Sequence, residues 1–294
     1  NSNFDNSMMN TNANNDQRKK TYLLEDKEDL LNILDTLNNG NEGEKVNTIL
    51  IIHDIIHAKF EASKHILIPN IDEIIKAFII SLKKLFEKAN TNLNEIPIKL
   101  GKYLITVLYK ISSNKELIKN ISINVLFNLT EEVLSNLIIE NLDKIGGNQE
   151  GIVIIRSLNS TMLRLLENCD YTQVIEMLLD IVMKYKNSFE KSKISGLGIK
   201  CLLKIHQILD QIVNSIKLDK LLLKIHLIFC EFDRNNNGGL ESENQTDQMI
   251  IRFIKNFIYE MVKIKREGIV GDYRLVEKHS DKDKYIKKWI KSIV

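Results

Sequence analysis

The sequence is poor in what breaks helices and in what most enzymes need. Only two prolines, Pro69 and Pro97, occur in 294 residues. Proline lacks a backbone N–H and clashes with the preceding turn, so long stretches without it favour long helices. Three cysteines, Cys169, Cys201 and Cys230, stand far apart with no CxxC spacing. That pattern argues against a disulfide framework and a cysteine zinc site, and suits a reducing interior. The formal charge of +2 is too small to imply a nucleic-acid partner. No apolar run reaches the roughly 18 residues of a membrane span, so no membrane partner is expected. There is no P-loop, GxSxG or GxGxxG, and no cysteine with a suitably placed histidine. The expected role is therefore non-catalytic, without a cofactor.

What is present is helical pattern. Hydrophobic residues are 44% and charged residues 27%, the balance of a globular protein. Residues 1–20, rich in Asn, Ser and Met, have no periodicity and are expected to be a disordered leader with no signal-peptide pattern. The chain opens with Asn1 rather than Met and is expected to be a piece of a longer protein. Residues 21–294 are expected to form a single domain. Apolar spacing predicts about twelve helices, at 24–38, 43–60, 69–89, 95–112, 114–128, 130–145, 149–168, 171–187, 193–215, 217–232, 246–266 and 281–293. Gly40 and Gly43, then Gly146, Gly147 and Gly151, then Gly238 and Gly239, then Gly268 and Gly271 mark breaks, since glycine accepts positive φ at little cost. Pro69 is placed near a helix start.

In 217–229 apolar residues surround the axis, and Leu222 is assigned to the core. The helix before it is one-sided, with Leu202, Leu203, Ile205, Leu209 and Ile212 against Lys200, Lys204, Gln207 and Gln211. An outer amphipathic helix followed by an inner apolar one, recurring about every 40–45 residues, is the logic of a HEAT-type α-solenoid. The fold class expected is all-α, a HEAT-repeat α-solenoid of about six helix pairs. An irregular helical bundle is the alternative.

Two motifs imitate metal sites. His53-Asp54-Ile55-Ile56-His57 has the spacing of HExxH, but Asp replaces the Glu that would act as base. His65 is the one nearby third ligand, and the flanking residues are core-like, so ordinary interface histidines are the expectation. Asp233 to Glu241, with Asn235, Asn237 and Gly238, imitates an EF-hand loop. Its twelfth position is Asn244 rather than the bidentate Glu, which removes two ligand oxygens and a charge. A calcium-responsive regulatory protein is kept as an alternative that a calorimetric calcium titration would distinguish.

The run Arg156-Ser157-Leu158-Asn159, with Met162, Arg164, Leu166 and Glu167, is followed by Ile194-Ser195, Ile199-Lys200-Cys201-Leu202, Leu218-Asp219, Ile225-His226 and Val262-Lys263-Ile264-Lys265. In order and spacing this set resembles helices near the C-terminus of the TOG-array microtubule polymerases, the ch-TOG/Minispindles/Dis family. The resemblance spans roughly 28–270. It implies a TOG-like HEAT-repeat domain at the C-terminal end of a microtubule-associated protein in the cytoplasm and cytoskeleton. In that family arrayed TOG domains bind tubulin and promote polymer growth. The C-terminal domain is associated with the microtubule lattice and with TACC-like acidic coiled-coil adaptors at spindle poles or centrosomes.

One departure from the family pattern matters. Tubulin-binding TOG domains carry an aromatic in the first helix-pair loop and Lys/Arg in others. Here the first loop, Asn38 to Glu44, has no aromatic and two acids, and the loop read as the fourth, Asn168 to Tyr171, is again acidic. The fifth, near Lys217 and Lys220, is basic. Tubulin is acidic, so binding of free tubulin in the usual manner is not expected. A tubulin-dimer binder using Lys217 and Lys220 is kept as the alternative within the family.

Residues 263–291 hold ten Lys/Arg and five acids, a net +5 that leaves the remainder at −3. In 281–293, Tyr285, Ile286, Trp289, Ile290 and Ile293 share one face, with lysines opposite. Such a basic amphipathic segment suits an acidic partner. Lys284, Tyr285, Lys287, Lys288, Trp289 and Lys291 are the candidate partner-binding residues there. A terminal helix that caps the solenoid is the alternative.

Overall fold

Helix caps written into the sequence start several of the helices. In a computed structural model of the chain, which describes residues 24–87, 96–146, 149–188, 190–235 and 245–265, the described residues form α-helices and short 3₁₀ turns and no strand. The helices are α1 (Lys27–Asn39), α2 (Glu42–Ala58), α3 (Phe60–Leu67), α4 (Ile71–Glu87), α5 (Ile98–Ser113), α6 (Lys115–Ile118), α7 (Ile123–Leu137), α8 (Gln149–Asn168), α9 (Tyr171–Tyr185), α10 (Ser192–His206), α11 (Leu209–Ile212), α12 (Leu218–Asn235) and α13 (Gln245–Lys265). The Asp26 carboxylate accepts from the Asp29 N–H at 3.0 Å to start α1. Asn41 and Glu44 form a reciprocal capping box at α2, at 3.0 and 2.7 Å. Asp170 accepts from the Gln173 N–H at 3.1 Å to start α9. Each cap satisfies a donor that the first turn leaves without a partner.

The described residues divide into two compact units between Asn168 and Cys169. In the first, three helix pairs stack: α1 with α2, α4 with α5, α7 with α8. The leading helices α1, α4 and α7 pack as one layer, and the following helices α2, α5 and α8 as a second. In the second unit α9 pairs with α10, α12 packs on α9, and α13 packs on α10 and α11. This is the all-α, HEAT-like arrangement expected.

The repeat shows in the contacts between like helices. Ser81 Oγ donates to Leu37 O, 44 residues away. The Ser122 N–H donates to the Asp72 carboxylate across 50 residues. Asn168 Nδ2 donates to Ser112 O across 56, and the Lys217 N–H to Thr172 Oγ1 across 45. Each contact joins corresponding helices of adjacent pairs, so the spacing is close to but looser than 40–45.

The core is apolar, with Ile49, Phe78, Leu104, Leu158, Leu178 and Leu222 all at 0% exposure. Charged side chains are buried with it. Lys186 is 5% exposed and reaches Asp247, itself 11% exposed, at 3.1 Å. The Lys186 ammonium also stands 4.1 Å from the centre of the Phe232 ring. That pair ties the link after α9 to the first turn of α13. Glu132 on α7 is likewise buried. Desolvation pushes its carboxyl up, opposed by the Lys83 ammonium at 4.0 Å and the Asn136 amide.

Several boundaries differ from expectation. The predicted helices 114–128 and 130–145 are instead the single turn α6, the helix α7 and a 3₁₀ turn at Leu142–Lys144. The boundary expected between 128 and 130 falls inside α7, where Thr130 is fully buried and the stripe Val125, Leu126, Leu129, Val133, Leu134 runs past it. The segment 193–215 ends as α10 at His206, followed by α11 and a 3₁₀ turn. Helix α3 went unread because Lys59, at φ −124° and paired with Asp54 at 2.7 Å, ends α2 without glycine or proline. Helix α12 is not buried all round, since Leu227 is 52% exposed. Gly40 has φ −66°, so its service is steric: a Cβ there would meet Thr36 O. Gly146 does use the left-handed region, at φ 60°. The expected helix 281–293 and the glycines Gly238, Gly239, Gly268 and Gly271 lie outside the described residues.

Two substitutions test this packing. Leu222→Ala should cost about 2–5 kcal/mol in urea unfolding, because it empties a closed site. Gly151→Ala should destabilise by a comparable amount although alanine is the better helix former, because its Cβ would run into the Leu142 carbonyl and Asp143 backbone; a neutral or stabilising result would mean that this turn is not packed on α8.

Candidate partner-binding surfaces

One of the two acids of the first helix-pair loop serves as a cap. Glu44 is bound into the capping box with Asn41. Lys84 on α4 donates to Asn38 O at 3.1 Å, and Ser81 Oγ donates to the Asn38 side chain at 3.3 Å. Beside the loop lies a cleft of about 550 Å³, lined by Leu37, Lys45, Ser81, Lys84, Leu85 and Pro97 among others. The loop is therefore flanked by two lysines that a reading of residues 38–44 alone misses. They come from α2 and α4, one helix turn or one repeat away, and the 44-residue repeat is the signal that would have found Lys84.

The segment Asn168 to Tyr171 is a link between helix pairs, joining α8 to α9, and not a loop within a pair. The helix-pair loop in the second unit is the one after Tyr185, between α9 and α10. Ser195 Oγ donates to Val182 O, and Gly198 packs against Val182, so these two helices run antiparallel. Lys217 and Lys220 accordingly lie at the opposite end of this unit from that loop. Their placement by counting loops fails because the expected helices 114–128 and 130–145 are the single turn α6 and the one helix α7, which shifts every later pairing by one helix.

Lys217 and Lys220 are exposed. The Lys217 backbone is fixed by Thr172, while Lys224, one turn on from Lys220, is ion-paired with Asp180. Glu176 is half-buried beneath them. Desolvation pushes its carboxyl up; Lys220 and Lys224 pull it down, and Asp180 and Asp170 push it up. The α9–α12 surface thus alternates in sign. Lys220 serves the electrostatics of its own fold, a role that sequence spacing did not suggest.

The two HExxH-like histidines stack, with ring centroids 5.6 Å apart and 8° between planes. No group of three or more His, Cys, Asp or Glu suited to a metal occurs among the described residues. Burial pushes the Cys169 thiol up to about 12 and the Cys201 thiol up to about 11, so neither favours thiolate chemistry. No helix among the described residues is long and apolar enough to cross a membrane. Lys284, Tyr285, Lys287, Lys288, Trp289 and Lys291 lie outside the described residues, as does most of the EF-hand-like stretch, 236–244.

The surfaces are those of a stack of helix pairs, the class of α-helical repeat proteins. Two curated relatives carry the similarity further. Protein MOR1 of Arabidopsis thaliana is 26% identical over 190 residues, covering 60% of this chain and 9% of the relative. Protein MOR1 of Oryza sativa subsp. japonica is 25% identical over 252 residues, covering 80% of this chain and 12% of the relative. The chain thus spans about a tenth of the length of these relatives. No family model matches, and no solved structure matches.

If Lys220 acts inward, its loss should be read at Glu176. The Glu176 carboxyl, followed by NMR titration, should stand above its ordinary value of 4.5, and K220Q should raise it further. A group held up in the folded state binds its proton more tightly there, so it detracts from stability above the ordinary carboxylate range and not below it. E176Q should then raise the melting temperature at pH 7 and leave it unchanged near pH 3. An identical Glu176 titration in K220Q would show that Lys220 points elsewhere.

Proposed function

We propose that this chain is a non-catalytic interaction platform of a microtubule-associated protein, a TOG-like HEAT-repeat domain over 21–294. The observation that carries this reading is the collinear similarity to protein MOR1, a TOG-array microtubule-associated protein, over 80% of the chain. The all-α stack of helix pairs supports it. Because the chain matches so small a share of MOR1, the activity belongs to a larger assembly and this part supplies contacts. Its place is the microtubule cytoskeleton.

The finer reading rests on the family resemblance. The domain stands at the C-terminal end of a polymerase and binds the microtubule lattice, a TACC-like acidic coiled coil, or both, at a spindle pole or equivalent organising centre. The basic segment with Lys284, Tyr285, Lys287, Lys288, Trp289 and Lys291 is its docking element. Aromatic residues dominate interface hot spots, so Trp289 is the anchor and the lysines steer approach. Binding of a free tubulin dimer through Lys217 and Lys220 is the weaker reading, since Glu176 offsets the Lys220 charge and both lysines lie at the opposite end of the second unit from its helix-pair loop.

Cosedimentation with microtubules, run beside gel filtration against free tubulin, separates these readings. The chain should pellet with microtubules, less so as salt rises, and should not form a stable 1:1 complex with tubulin. W289A should weaken the microtubule interaction about thirtyfold, the equivalent of about 2 kcal/mol, without lowering the melting temperature. Failure to pellet at low salt would overturn the proposal; a lower melting temperature with unchanged affinity would make Trp289 part of a cap.

A further inference from the structure

Charge in the second unit is segregated by layer. Helix α10 carries Lys193, Lys200 and Lys204 and no acidic residue. Helix α13 carries Arg252, Lys255, Lys263 and Lys265 against Asp247 and Glu260. Asp247 is spent on the buried Lys186, and Glu260 lies 3.7 Å from Lys263. The facing layer, α9 and α12, is different: there Asp180 holds Lys224, and Glu176 senses Lys220 and Lys224. In that layer Lys220 and Lys224 have carboxylates close by.

Three cations are left available. Lys200, Lys204 and Arg252 are exposed, and no carboxylate pairs with them among the described residues. Two large apolar side chains stand among them, Leu203 at 46% and Met249 at 50% exposure. Helices α10 and α13 lie side by side and run parallel, as adjacent repeats do. The His206 ring meets the Phe253 and Phe257 rings at 6.2 and 5.9 Å, and Lys265 reaches Asn214 at 2.8 Å. The end of α10, with Lys204 two residues before His206, thus lies against the stretch of α13 that holds Arg252, next to Phe253.

We infer that this α10–α13 face docks an acidic polypeptide segment. Its carboxylates would meet Lys200, Lys204 and Arg252, and an apolar side chain would lie over Leu203 and Met249. Like charges gathered without counter-charges favour an anionic ligand and speed its arrival. Arginine adds a planar fork that binds a carboxylate through two hydrogen bonds. The inference deepens the microtubule-associated reading and rests on it only for which acidic protein supplies the segment. It also moves the contact away from Lys217 and Lys220.

The test uses the full chain and a fluorescein-labelled peptide of ten glutamates, read by fluorescence anisotropy at low and physiological salt. K200Q/K204Q/R252Q should weaken binding about tenfold, as the loss of three exposed charge contacts would. K217Q/K220Q should change it less than about twofold, and the charge-conserving K200R/K204R should bind within about twofold of the parent. All variants should melt as the parent does, because the changed side chains are exposed. No binding by the parent chain, equal loss in both neutralised variants, unchanged affinity in the triple variant, or tighter binding of a DNA duplex of equal charge would each overturn the inference. Microtubule cosedimentation of the same variants keeps the two claims apart. Peptide binding as expected with no pelleting sinks the microtubule reading alone; pelleting with peptide binding unchanged in the triple variant sinks this inference alone.

Discussion

The whole arrangement depends on one constraint: a helix pair here cannot bury its own apolar surface. Within each unit a leading helix packs on its counterpart in the next pair, and a following helix likewise. The contacts at separations of 43 to 56 residues are where that debt is met. Sheets and disulfides are not needed, since helix ridges close the core between neighbours. The consequence is that structure is local along the stack. A defect such as the buried carboxylate of Glu132 is tolerated because only the adjoining helices feel it.

The same locality explains how much of the fold was legible. Helices with a strong apolar stripe and a cap, such as α9 with Asp170 or α2 with Asn41, could be read from residues alone. So could the all-α class and the burial of Leu222. The breaks that failed are tertiary. Thr130 is a polar residue that the stack swallows, and the Lys59 kink has neither glycine nor proline to announce it. Asn128 and Thr130 look like turn residues because their side chains compete for backbone groups, a local preference that packing overrides.

The candidate site was less legible because charge in three dimensions is a matter of neighbours one repeat away. Lys217 and Lys220 stood out as a basic pair in a link. The acids Glu176 and Asp180 stand 44 residues before Lys220 and Lys224, close enough in space to offset their charge. In the same way, the acidic first loop gains Lys84 from the next repeat. Reading such a chain in columns of equal repeat position, rather than in rows along the sequence, recovers both pairings.

The Lys186–Asp247 pair has a further bearing on how this molecule can be studied. Ions in solution screen charges that water reaches, and they do little to a pair sealed beneath Phe232. The fold therefore keeps this deeply placed charge contact at ionic strengths that strip partners from exposed lysines. Added salt becomes a dial on association alone: a loss of binding at high salt can be attributed to the surface, with no correction for a loosening of α13 from the stack.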